Sequence, residues 1–405
     1  MKTICLLENT IQEYEWGSYT AIASLLSKKA SSDVPQAEIW MGAHPKASSM
    51  VTYQGKSISL LELISQYPED ILGKNIAKEY NHQLPFLFKV LAAAKPLSIQ
   101  AHPSHLQARE GFKRENELNI SKDSPKRNYK DDNHKPECIC ALTDFLALNG
   151  FRKTCDMLSF MKKVCSNSLG KELNELEKKQ DADGLKQFFK SFMTLDEKRK
   201  NRVLNETLYN AKKIAKSDPA FEWMVKLAKE YPQDIGILSP AMLNLVCLKP
   251  GEAMFLFSGE LHAYLDGLGI ELMANSDNVL RGGLTSKHVD IPELLKVVNF
   301  AERDIEILQC EKNNTAECTY ASMAKEFMLS VISVDSTKNF TSQAVKSAEI
   351  LLCTDGQATI TDSGNNETIY LKKGKSIIVP ASVSMYHITG KAVIYKASVN
   401  SAYSS

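Results

Sequence analysis

The change of pattern between Gly150 and Pro232 constrains this chain most. On either side, short apolar and β-branched runs are punctuated by turn residues: EIWMGAH, SMVTYQG, PLSIQAHP and ECICALTDFLAL before it, FMLSVISV, AEILLCTDG, ATITDSG and SIIVPASVSMYHI after it. Strands of this length and spacing fold as sandwiches or barrels. Between them, Phe151 to Tyr231 is rich in lysine and glutamate and almost free of glycine. Its apolar residues recur at helical spacing: Leu185, Phe188, Phe189 and Phe192; then Leu204, Leu208 and Ala211; then Phe221, Met224, Val225 and Ala228. The expectation is a mainly β protein with an α-helical insertion whose charges form a solvated face. The expected division is one β domain over residues 1–150 and 233–310, a helical insertion over 151–232, and a terminal β domain over 311–405. A single helix is expected within the first 150 residues, near Leu60 to Tyr67.

The chain has 405 residues, enough for two or three domains with separate cores, and a net charge of only +1. That balance supplies no basic field for nucleic acid or an anionic membrane surface, which leaves a small molecule as the expected partner. The opening MKTICLLENT is too short and too soon interrupted by Glu8 for a secretory apolar region, and no run reaches the length of a membrane span. The nine cysteines are odd in number and scattered, without paired CxxC motifs. They are read as reduced thiols of a cytoplasmic protein, and Cys138 and Cys140 as strand packing.

The chemistry concentrates around few histidines. In LSIQAHPSH, Gln100 and His102 stand two apart on an extended segment, so their side chains share one face. His102 and His262 sit where apolar strands end, and Glu137 closes the polar turn YKDDNHKPE. Two imidazoles and a carboxylate from three separated strands make a metal set with an open position. An amide oxygen is a weaker ligand, and Gln100 taken alone is better explained by hydrogen bonding beside His102; only its shared face with that imidazole keeps it in the set. SDNVLRGGLTSKHVD adds Asp277, Arg281 and Lys287 around Gly282 and Gly283. With Lys89 and Lys135 near the metal strands, a cavity with surplus cations is expected, which suits a phosphorylated ligand.

The turns of LKPGEAMF and KKGKSIIVPA resemble those of cupin jelly rolls. Six motifs then stand in order: Tyr14 to Gly17, AEIWMGAHPKA, FKVLAAAKPLSIQAHP, YKDDNHKPE, GELHAYL and ELMANSDNVLRGGLTSKHVD. Through them the sequence resembles the type I mannose-6-phosphate isomerases over essentially its full length. The resemblance implies a cupin-type jelly-roll catalytic domain, an inserted helical domain and a C-terminal jelly roll. It also implies one zinc ion per chain, held by Gln100, His102, Glu137 and His262.

The activity implied is the interconversion of mannose 6-phosphate and fructose 6-phosphate through a cis-enediol. The product connects to glycolysis or to supply of mannose 6-phosphate for GDP-mannose and glycan precursors. A base must reach C1 and C2, and charge on their oxygens must be stabilised. Arg281 is expected to stabilise that charge. Glu271 is the acid/base candidate, with Asp277 a second carboxylate and Lys135 an alternative proton carrier that Glu271 would then only orient. Lys89 and Ser98 are assigned to the phosphate, with Lys287 contributing, and Trp16 to the cavity wall. A monomer is expected. The rival readings are another cupin enzyme, such as an iron oxygenase, and a non-catalytic sugar-phosphate binder. Gln100 with Arg281 and the lysines argues against the first, and metal ligands combined with acids and cations against the second.

Overall fold

The computed structural model describes residues 1–26, 31–310 and 316–400. The spine of its first β system is the 13-residue strand His262–Ala274. The second half of that strand runs between Phe86–Ala93 and Glu137–Ala141, with Glu271 opposite both Lys89 and Ile139. The first half lies between Ile99–Ala101 and Phe145–Phe151, with His262 opposite Gln100 and Asn149. Between the halves the register shifts at Tyr264 and Asp266. Gly267 follows at φ +127°, where a Cβ would lie 2.7 Å from the Asp144 carbonyl oxygen. Bulge and glycine together let one strand turn the corner from one sheet into the other, the device that closes a jelly roll. Leu280–Gly283 adds to the far side of Ile99–Ala101 and sets Arg281 opposite Gln100.

The helical block interrupts a hairpin. Phe145–Phe151 pairs with Leu243–Leu248, Phe151 opposite Leu243, so the chain leaves the sheet on one strand and returns on its neighbour. Between them lie Thr154–Cys165, Gly170–Lys178, Ala182–Met193, Glu197–Ile214 and Pro219–Glu230. Asp181, Asp196 and Asp218 cap three of these helices by accepting from the backbone N–H groups of Gly184, Arg199 and Ala220. The apolar stripe expected from the sequence faces inward: Leu185, Phe188, Phe189, Phe192, Leu204, Ala211, Phe221 and Met224 are buried, and Leu208, Val225 and Ala228 partly so. Their core is continuous with Ile99, Ala101, Leu261 and Ala263 of the barrel, so the insertion braces the strands that carry Gln100 and His262.

In the second β system, Glu349–Asp362 pairs with Tyr386–Ser398 from Ile350 to Asp362. Cys5–Glu8 enters this system between Ser376–Val379 and Met50–Tyr53. Residues from the start of the chain thus complete the sheet of its last strands. The fold is mainly β, of cupin type, with an α-helical insertion.

Two expectations need correction. The first 150 residues hold more helix than Leu60–Gln66, notably His105–Glu117. That helix buries only Ala108, Gly111 and Glu115, so it has no apolar stripe to read, and it is started by a capping box between Ser104 and Gln107. The cysteines are not all thiols: Cys310 is bonded to Cys318 at a Cα separation of 5.8 Å, and the other seven are free. Cys310 follows directly on the strand Leu308–Gln309 and Cys318 is the middle residue of Glu317–Thr319, a pairing that no spacing motif announces.

Candidate metal centre and its cavity

His102 follows directly on Ile99–Ala101, Glu137 opens one strand and His262 opens another. Each is no more than 1% exposed. His262 therefore begins a strand rather than ending one. The Nδ1 of His102 lies 2.7 Å from the Asn278 carbonyl oxygen and that of His262 2.9 Å from the Glu260 carbonyl oxygen. Both Nδ1 atoms are thereby assigned as N–H donors, leaving each Nε2 with a free lone pair. His102 Nε2, His262 Nε2 and Glu137 Oε2 are all buried with no hydrogen-bond partner.

Those lone pairs converge. His102 Nε2 is 3.3 Å from one Glu137 oxygen and His262 Nε2 is 3.4 Å from the other. A tetrahedral zinc site with bonds of roughly 2.0–2.1 Å has edges of roughly 3.3–3.4 Å, so each imidazole stands from a Glu137 oxygen at the spacing such an ion allows, and the three donor groups lie within 4.8 Å of one another. Burial pushes the His102 ring down to about 4, against the pull of Glu137, so it offers a neutral lone pair at neutral pH. Burial alone would raise Glu137, but Lys135 and then His102 hold its carboxyl well below the usual carboxylate range. Gln100, directly opposite His262, projects from the same face and is placed to supply a fourth ligand.

Beside the donors lies a cavity of about 310 Å³, lined by Lys89, Lys135, Asp277, Arg281 and Lys287 together with Tyr14, Trp40, Lys46 and Lys130. Lys135 links the two, its Nζ 2.9 Å from Glu137 Oε1. Lys89 Nζ lies 2.9 Å from Glu271 and 3.4 Å from Glu38, all three side chains buried. Burial opposes the charge on Lys89, but Glu271 and Glu38 outweigh it and keep the ammonium protonated. Glu271 is raised above the usual carboxylate range by burial and by its neighbours Glu137 and Glu38, Lys89 working against them. Asp277 behaves in the opposite way. Burial opposes its charge, but hydrogen bonds from His44 and Lys46 hold it well below that range, so it is a fixed anion rather than a proton carrier.

Arg281 makes no hydrogen bond or ion pair among the described residues, and burial alone lowers its affinity for its proton. Lys287 is also lowered, by burial and then by Arg281 and Lys130. These three cations therefore gather at one end without a neutralising carboxylate, where Lys89 has two. Ser98, Trp16 and Glu271 do not line the cavity: Glu271 lies behind Lys89, which does; Trp16 packs against the cluster that contains Leu91, Ile139 and Tyr264; and its neighbour Tyr14 takes the wall. Sequence reasoning passed over Tyr14, Lys130 and Glu38, although all three stand inside quoted motifs. A second, larger cavity of about 630 Å³ lies around His105, Arg109, His134, Lys325 and Glu326, with cations and carboxylates interspersed. Its His134 is tied to Glu326 at 2.8 Å.

Fold and donor set define a cupin whose barrel carries ligands fit for one divalent cation, beside a cation-rich cavity. A model of the phosphomannose isomerase type I catalytic domain matches residues 4–154, and one of the mannose-6-phosphate isomerase cupin domain matches residues 316–398. Mannose-6-phosphate isomerase of Escherichia coli K12 is 40% identical over 388 residues, covering 95% of this chain and 96% of the relative. The Homo sapiens enzyme is 32% identical over 413 residues, 94% of each. The crystal structure of a phosphomannose isomerase variant from Salmonella typhimurium superposes with a TM-score of 0.90 at 36% identity, covering 98% of this chain and 99% of that one. A zinc-bound mannose 6-phosphate isomerase gives 0.89 at 36% identity with the same coverage. The chain belongs to the mannose-6-phosphate isomerase family.

Proposed function

We propose that this chain is a zinc-dependent aldose–ketose isomerase that interconverts mannose 6-phosphate and fructose 6-phosphate through a cis-enediol. The observation that carries the reading is the convergence of two buried imidazole nitrogens and a buried carboxylate within 4.8 Å of one another, beside a cavity with unneutralised cations. His102, Glu137, His262 and Gln100 hold the ion, which when bound supplies a Lewis acid for the C1 and C2 oxygens of the open-chain sugar.

Glu271 moves the proton between C1 and C2, because its raised pKa brings a carboxylate nearer the working pH of a general base. Lys89, held protonated between Glu271 and Glu38, keeps that carboxylate oriented. Lys135 holds Glu137 and presents a second ammonium to the sugar. Arg281, in register with Gln100 and His262, faces the charge that develops on the enediolate. Lys287 with Lys130 receives the phosphate. The charge pairing favours them over Lys89, already neutralised by two carboxylates, and over Ser98, outside the cavity. Asp277 fixes Lys46 at the rim. The reading includes the division at residues 150, 232 and 310, except that Cys5–Glu8, Met50–Tyr53 and Lys56–Ser59 join the sheet of the terminal segment, and a single chain acting in the cytoplasm, supported by a centre drawn wholly from one chain and a near-neutral charge.

The test is formation of fructose 6-phosphate by purified protein before and after chelation and zinc add-back, with metal content measured in parallel. Activity that falls with removal of about one metal per chain and returns with zinc is expected. Metal-loaded protein without turnover would sink the isomerase reading.

A further inference from the structure

Asn278 is fully buried in the turn between the strand of Glu271 and that of Arg281, and it touches both halves of the metal centre. Its backbone oxygen receives the His102 Nδ1–H at 2.7 Å. Its side chain closes on the loop that leads into Lys135 and Glu137. The amide oxygen accepts the backbone N–H groups of Lys130 at 2.7 Å and Asp131 at 3.2 Å. The amide nitrogen donates to the backbone oxygens of Asp131 at 2.9 Å and Asn133 at 2.8 Å, and to the Asp131 carboxylate at 3.2 Å. Ser276 and the Asp277 N–H bind the same carboxylate, each at 2.8 Å, and lock the turn to the loop.

One residue therefore fixes an imidazole through its main chain and the approach to a carboxylate through its side chain. The chemistry is specific to an amide. The loop presents two N–H donors and three acceptor oxygens to this side chain, and aspartate, though isosteric, would set a carboxylate against the three acceptors. His102 and Glu137 must stand near 3.3 Å for both to reach one ion; the segments that carry them pair with opposite ends of the strand His262–Ala274, and Asn278 links the two directly across the centre.

We propose that Asn278 is the positioning residue that sets the distance between the His102 imidazole and the Glu137 carboxylate, and so governs how tightly the centre holds a divalent cation. The inference rests on the metal reading above. Groups that orient metal ligands typically change affinity by roughly 10- to 100-fold when removed.

The experiment compares wild type, Asn278→Ala and Asn278→Asp. Zinc affinity is measured by competition with a chromophoric chelator, and the melting temperature with and without zinc. At least roughly tenfold weaker binding is expected for Asn278→Ala and a larger loss for Asn278→Asp, with a smaller zinc-dependent rise in melting temperature. Equal lowering of both melting temperatures with unchanged zinc affinity would make Asn278 merely structural and overturn the inference alone. Wild type that takes up no zinc would overturn the metal reading and this inference with it. Should Asn278→Ala fail to accumulate folded, Asp131→Asn loosens the same clamp from the other side. Several-fold weaker zinc binding there supports the assignment, and unchanged binding overturns it.

Discussion

Replacing Lys89 by methionine probes the charges beside the metal donors with little change in side-chain volume. The ammonium lies between Glu271 at 2.9 Å and Glu38 at 3.4 Å. Removing one partner of a buried ion pair costs roughly 3–5 kcal/mol, because the other charge stays buried and unpaired. Here two carboxylates lose the same cation, so the upper half of that range is expected at pH 8. The loss depends on pH with a definite sign. Glu271 is already raised by burial and by Glu137 and Glu38, and without Lys89 it rises further. A carboxyl whose folded pKa exceeds its unfolded value of roughly 4.3 destabilises the fold increasingly as pH climbs from the lower value through the higher. The penalty should therefore shrink between pH 8 and pH 5.5. Urea denaturation of metal-free wild type and variant at both pH values measures it. Adding Glu271→Gln to Lys89→Met should recover part of the loss, since a neutral pair leaves one fewer unpaired charge. A loss below about 1 kcal/mol at both pH values, the range of an exposed pair, would refute a buried three-charge cluster.

Glu137→Gln removes the anionic donor and should abolish zinc retention through gel filtration; a variant that still carries one zinc would exclude Glu137 as a ligand. Arg281→Ala should keep its zinc yet lose on the order of 100-fold in kcat, as when a charge-stabilising donor is removed. If it raised KM alone, its contribution would be ordinary binding. Asp277, charged despite burial because His44 and Lys46 bind it, contributes stability that is present above roughly pH 4 and lost as pH falls through its depressed folded pKa. Asp277→Asn should accordingly cost about 1 kcal/mol at pH 7 and flatten acid unfolding below pH 4, as followed by circular dichroism. An acid limb identical to that of wild type would contradict the ion pairs.

The helical insertion was readable in advance because its signal is local. Phe188, Phe189 and Phe192 repeat at helical spacing whatever they pack against, and they are buried as that spacing requires. His105–Glu117 escaped because its buried face, Ala108, Gly111 and Glu115, stands at helical spacing but carries no large apolar side chain to mark it. Lys89 and Trp16 show how far a motif reaches. It placed them near the centre, but the partners of Lys89 at Glu38 and Glu271, and the cluster of Leu91, Ile139 and Tyr264 against which Trp16 packs, involve residues distant in sequence.

From the sequence alone came the mainly β class, the insertion, and the set of donor residues in chain order. Strand parity is a property of neighbouring residues, so Gln100 and His102 could be given a common face from two positions of spacing. Only the tertiary structure decided that Arg281, Gln100 and His262 stand in one row across three strands, that Cys5–Glu8 completes the sheet of the last strands, and that the Asn278 carbonyl fixes the tautomer of His102. Each depends on register between segments tens or hundreds of residues apart. Register is set by burying whole faces against one another, and no short stretch of sequence contains that information.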